Sequence, residues 1–196
     1  FRSAIASVPA TVTVAAGAST ATFTVTTSAV NTATDVLITA AANGGSANAT
    51  LAVTAPGVSA LSLSPTTVIG GNANSTGTVT IETAAPAGGV VVDLTSSNTA
   101  LATVPATVTV AQGQTTATFT ITTKYTAASA TSIITASSSG MTRSATLTVT
   151  PIIVTGVSLS LSSVRGGVAN STGTVTITGN APTGGLTVAL SSANSA

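Results

Sequence analysis

From Thr116 the chain spells TATFTITT, placing Ala117, Phe119 and Ile121 at alternate positions with Thr116, Thr118, Thr120 and Thr122 between them. An apolar–polar period of two marks a strand with one face buried and one in water. ATVTV from Ala106, GTVTI from Gly77, VVVDL from Val90 and ATLTVT from Ala145 alternate in the same way. Their Val, Ile and Thr are β-branched, which restricts side-chain rotamers in a helix and suits a pleated surface. Nowhere does an apolar stripe of period 3.6 run long enough to predict a helix. Breakers separate the alternating runs: IGGNAN from Ile69, AAPAGG from Ala84, AQGQ from Ala111 and SSSG from Ser137. Strands are therefore expected near 58–64, 76–83, 89–96, 101–110, 115–123, 131–137 and 143–150.

The phrase NSTGTVTI occurs at Asn74 and again at Asn170, 96 residues later. Pro9 and Pro105, Gly77 and Gly173, and Pro86 and Pro182 stand at the same offset, and about half of all positions are identical across it. A unit of 96 residues is too long for a solenoid coil and suits one small all-β domain. About seven antiparallel strands per repeat, with turn signals every ten residues or so, point to tandem immunoglobulin-like β-sandwiches. An up-and-down barrel is the weaker alternative. The linkers fall around Pro56 and Pro151. A complete sandwich is expected over 57–151, with the last four strands of another over 1–56 and the first three of a third over 152–196. Neither part can cover its own apolar face. The chain is then a window of a long tandem array, or a subunit whose 152–196 completes 1–56 of the next copy.

Composition narrows the function classes. Of 196 residues 43% are hydrophobic and 4% charged, with a formal net charge of +1, so a disordered chain is excluded. Four Lys and Arg cannot supply the phosphate contacts of a nucleic-acid binder. There is no Cys, so neither disulfides nor thiolate metal sites arise. No apolar run reaches the eighteen or so residues that cross a bilayer. The chain starts at Phe1 without a basic and apolar leader, as expected of a processed chain or a window.

Candidate chemistry is sparse. His, Cys and Trp are absent, which removes the common general base and most transition-metal ligands. Ser and Thr abound, but a nucleophilic hydroxyl needs an activating base. The candidates Asp35, Glu82, Asp93 and Lys124 become Thr131, Thr178, Ala189 and Ser28 at the repeat offset, so none is essential to a module that works by repetition. Calcium wants several carboxylates among its ligands, and three scattered acids do not provide them. No catalytic residue, cofactor or metal site is expected. IGGNANSTG lacks the Gly-Lys-Ser/Thr ending of a phosphate loop and opens a strand, so its glycines are turn formers. Asn48, Asn74 and Asn170 begin Asn-x-Ser/Thr triplets, the acceptor pattern for N-glycosylation. Tyr125, the one Tyr, follows Lys124 after a strand and is the candidate ligand contact.

The string GGNANSTGTVTIETAAPAGGVVVDLTSSNTALATVPATVTVAQGQTTATFTITT resembles the bacterial immunoglobulin-like repeats of large secreted and cell-surface proteins, among them adhesins, stalks and surface-layer components. The resemblance implies secretion, tandem arrangement and a structural role at the cell surface. The expected partners are copies of the chain or adjacent repeats, and glycans. Edge strands with so few charges lack the usual guards against pairing with other chains, which fits a fibre or packed layer. A carbohydrate- or surface-binding module is the alternative function.

Overall fold

The computed structural model describes residues 5–193. Its strands, in chain order, are β1 (Ala6–Ser7), β2 (Thr26–Thr27), β3 (Thr34–Ala42), β4 (Gly45–Val53), β5 (Val58–Ser64), β6 (Thr67–Ile69), β7 (Ser75–Ile81), β8 (Val90–Ser96), β9 (Ala102–Thr103), β10 (Thr107–Val110), β11 (Thr116–Thr123), β12 (Ala130–Ser138), β13 (Met141–Thr150), β14 (Val154–Leu159) and β15 (Gly173–Ile177). Among the described residues there is no helix, hence none long and apolar enough to cross a membrane.

Strands β5 to β13 make an immunoglobulin-like sandwich. One sheet runs β5-β7-β11-β9 and the other β10-β8-β12-β13-β6. All neighbours are antiparallel except β6 and β13, which pair in parallel. The core lies between the sheets because alternation aims one side of each strand inward. Val90, Val92 and Leu94 of β8 are buried while Val91, Asp93 and Thr95 are exposed. Val79, Ile81, Phe119, Ile121, Ile134, Leu147 and Val149 fill the space opposite and beside them.

One expected strand proves to be divided, and one strand appears that the alternation did not predict. The run near 101–110 becomes β9 and β10, which pair with β11 and β8 in opposite sheets. Pro105 separates them, where a missing N–H interrupts any ladder. Strand β5 spans the expected 58–64; a cis Ser64–Pro65 bond follows, and the unexpected β6 joins the other sheet. The hairpin β12–β13 turns through Ser139 and Gly140, both with positive φ, as does β3–β4 through Asn43 and Gly44. Two positive φ values match the twist of a two-residue hairpin.

Candidate functional site

The segments on either side of the sandwich repeat its pairings in the same register. Ala6 and Ser7 face Thr27 and Thr26 as Ala102 and Thr103 face Thr123 and Thr122. Strands β3 and β4 pair from Thr34↔Val53 onward as β12 and β13 pair from Ala130↔Val149. In β14 and β15 even the irregularity between Val154 and Gly156 matches that between Val58 and Ala60. Residues 11–14, 20–25, 163–165 and 186–192 correspond to β10, most of β11, β6 and β8, yet form no strand. Their partners in the sandwich have no counterpart at that offset within residues 1–196, so the backbone has nothing to ladder against.

The apolar side chains follow the backbone. Phe119 is 6% exposed and its counterpart Phe23 43%; Val110 is 0% and Val14 48%; Leu94 is 4% and Leu190 76%. Val164 and Leu159 are likewise exposed where Val68 and Leu63 are buried. Between residues 6–10 and strand β3 runs a cleft of about 630 Å³ lined by Ala6, Val8, Pro9, Val36, Leu37 and Ile38. In the sandwich β8 occupies that place, between β10 and β12.

Glycines record the same relation sterically. A Cβ on Gly77 would overlap the Phe119 ring, and one on Gly70 would overlap the Lys124 carbonyl and Val149. Neither glycine has a positive φ, so close approach, not backbone conformation, demands them. The counterpart Gly166 has open space around a built Cβ, and Gly173 meets only Leu159 and the Ser158 carbonyl at ordinary distances. A Gly inside the alternating GTVTI was the sequence signal for this approach. The polar lock beside it had none: buried Thr123 donates from Oγ1 to the Ala73 carbonyl at 2.6 Å and accepts the Gly71 N–H at 3.3 Å, while Asn74 Oδ1 accepts the Thr123 N–H at 3.3 Å.

Both junctions carry contacts. Asn180 donates its N–H to Asn72 Oδ1 at 2.6 Å, and Asn72 Nδ2 donates to the Asn180 carbonyl at 3.0 Å. Ile152 is buried beside them. At the other end Ser139 Oγ donates to the Pro56 carbonyl at 3.5 Å across the junction, and just inside the sandwich Gly57 packs so closely on Met141 that a Cβ would overlap its sulfur. Gly57 N–H donates to Glu82 Oε2 at 3.3 Å, and Ile153 N–H donates to Thr178 Oγ1 at 3.1 Å in the equivalent place. A hydroxyl thus replaces the carboxylate, and the bond does not depend on charge.

The sequence candidates lie apart. Asn48 is exposed on β4, Asn74 is exposed before β7, and Asn170 is exposed between the turn at 166–168 and β15. Tyr125 sits half exposed at the rim of a cleft of about 230 Å³ with Gly70, Asn72, Ile152 and Asn180. Asp35 and Asp93 are exposed, and Lys124 Nζ donates to the Thr99 carbonyl at 3.0 Å. Among the described residues no three of His, Cys, Asp and Glu gather where they could hold a metal ion. One buried hydroxyl, Ser132, was not singled out in the sequence. Ser96 Oγ donates to the Ala102 carbonyl at 2.7 Å, so in its 2.8 Å contact with Ser132 it accepts; Ser132 Oγ in turn accepts the Asn98 N–H at 3.2 Å. These bonds fasten the loop before β9 and leave the hydroxyl no acidic or basic neighbour in its network.

No family model matches the chain, and no curated protein matches it. Among solved structures it is similar to the D00-D0 domain of Intimin, at 17% identity and a TM-score of 0.38, covering 74% of this chain and 77% of that one.

Proposed function

We propose that this chain is a stretch of an extracellular structural protein, a filament, stalk or adhesin shaft, and that it catalyses no reaction. In this reading 57–151 is one complete repeat, and 1–56 and 152–196 are parts of two others, completed in series by adjacent repeats or further copies. The observation that carries it is the shared register: the flanking segments make the sandwich's own pairings and expose the residues that form its core. The junction bonds of Asn72 with Asn180 support stiffness between successive modules.

The test is a fusion in which residue 196 is followed directly by residue 5 of a second copy. Ala196 and Ile5 correspond to Ala100 and Leu101 at the repeat offset, so the period continues unbroken. The fusion gains a second cooperative sandwich, seen as hydrogen-exchange protection over 20–25 and 186–190 of the joined segments, and small-angle scattering gives a stiff particle. Unprotected segments, or free flexing about Pro56 and Pro151, would refute the reading.

A carbohydrate- or surface-binding module is the second reading, favoured by the half-exposed Tyr125 ring at a cleft with amide groups around it. The cleft is small beside the roughly 300–1,000 Å³ of most ligand sites. Glycan binding lost in Tyr125→Ala would establish this reading, and glycan occupancy at Asn48, Asn74 or Asn170 would show by mass.

A further inference from the structure

We infer that residues 152–193 of one copy of this chain dock on residues 5–56 of a second copy, with Phe23 of the second seated over Gly173 of the first. The inference rests on the serial reading and specifies its contact: the partner, the register and the residue pair that fixes it.

The central sandwich supplies the template. There Phe119 stands opposite Gly77 across β11 and β7, and the ring occupies the space a side chain at Gly77 would need. Shifted by the repeat offset, that pair is Phe23 and Gly173. The Phe23 ring is exposed, and no ring lies over Gly173. The same shift sends Leu190, counterpart of Leu94, opposite Ala40, counterpart of Ala136. Leu190 then enters the open cleft beside β3, whose lining includes Ile38, counterpart of buried Ile134.

Polar groups agree with the apolar ones. Thr27 corresponds to Thr123, and Gly167, Ala169 and Asn170 to Gly71, Ala73 and Asn74, with every letter unchanged. Docking in this register lets Thr27 remake the three bonds that hold the glycine loop against β11 in the sandwich. A slip by one residue would turn the Thr row of 20–25 inward and the apolar row outward. Shape, register and hydrogen bonding therefore select one arrangement, and a second copy carries all the complementary groups.

Because the donor and acceptor surfaces sit on opposite flanks, the contact is heterologous and propagates head to tail. Multi-angle light scattering of the full chain over a concentration series reads it directly. Wild type grows in mass with concentration. Gly173→Val, which fills the seat, and Phe23→Ala, which empties the ring, each weaken association at least tenfold while the melt of the central sandwich stays put. Because Phe23 is exposed, Phe23→Ala remains informative if Gly173→Val disturbs the β14–β15 pair. Wild type that stays monomeric at millimolar concentration, or variants that associate as well as wild type, would overturn the docking. Either result leaves the serial reading to the fused chain, where no second copy is needed.

Discussion

Replacing Phe119 and Phe23 separately with Ala puts the same chemical change into the same TATFT phrase and should give opposite results. The Phe119 ring is buried over Gly77 and belongs to the core cluster that both sheets supply. A buried Phe→Ala change costs about 3–5 kcal/mol, because the cavity does not refill. For a domain of about 60–100 residues each kcal/mol shifts Tm by roughly 4–8 °C, so Phe119→Ala should melt at least about 12 °C lower. Phe23 is exposed, and in dilute solution Phe23→Ala should stay within about 0.5 kcal/mol of wild type. Tyr125 serves as the reporter, since it is the one Tyr in a chain without Trp and directly follows β11 and Lys124. Thermal and urea unfolding followed by its fluorescence therefore track the central sandwich. Equal losses in the two variants would mean that 5–56 already closes a core of its own, and the reasoning would fall.

Other perturbations probe separate parts of the structure. Ser132→Ala leaves the Asn98 N–H without its acceptor and should cost about 1–3 kcal/mol by urea denaturation, with faster exchange of that amide. Glu82→Thr should be neutral within about 0.5 kcal/mol, because Thr178 makes the equivalent bond; a larger loss measured by calorimetry would give the carboxylate a role of its own. Asn72→Ala should leave the melting point almost unchanged and broaden the small-angle scattering distance distribution, because it removes the paired bonds to Asn180. Calcium and chelator should leave the calorimetric midpoint where it is; a rise specific to calcium would reveal a bound ion.

The alternating runs made most of the sandwich legible, since β8, β11, β12 and β13 each bury one face against a core and show it as period two. Strand β6 was not legible. Three residues are too few for a period, and its parallel pairing with β13 depends on where the chain lands after Pro65. The division at Pro105 was readable as a proline but not as a change of sheet. Nothing in the sequence marks Ser132 among so many Ser and Thr, and its burial depends on the meeting with Ser96 and the loop at Asn98. Gly77 shows a different limit. The sequence said that a strand contained glycine, whereas the ring that requires it lies forty-two residues away and is identified only by the pairing of β11 with β7.

The central claim is that the surfaces of 5–56 and 152–193 fit each other as the halves of the sandwich do, and cysteine cross-linking tests it most directly in a chain with no cysteine of its own. Thr107 and Asp93 are exposed register partners, and the neighbouring Leu94 N–H bonds the Ala106 carbonyl at 2.9 Å. They are thus a non-hydrogen-bonded antiparallel pair with Cα atoms about 4.5 Å apart, within disulfide reach. Their counterparts are Thr11 and Ala189. Chains carrying Thr11→Cys mixed with chains carrying Ala189→Cys should form a covalent heterodimer under mild oxidation. Thr11→Cys mixed with Thr187→Cys, two places out of register, should not. Indiscriminate cross-linking, or none in the first mixture, would contradict the account.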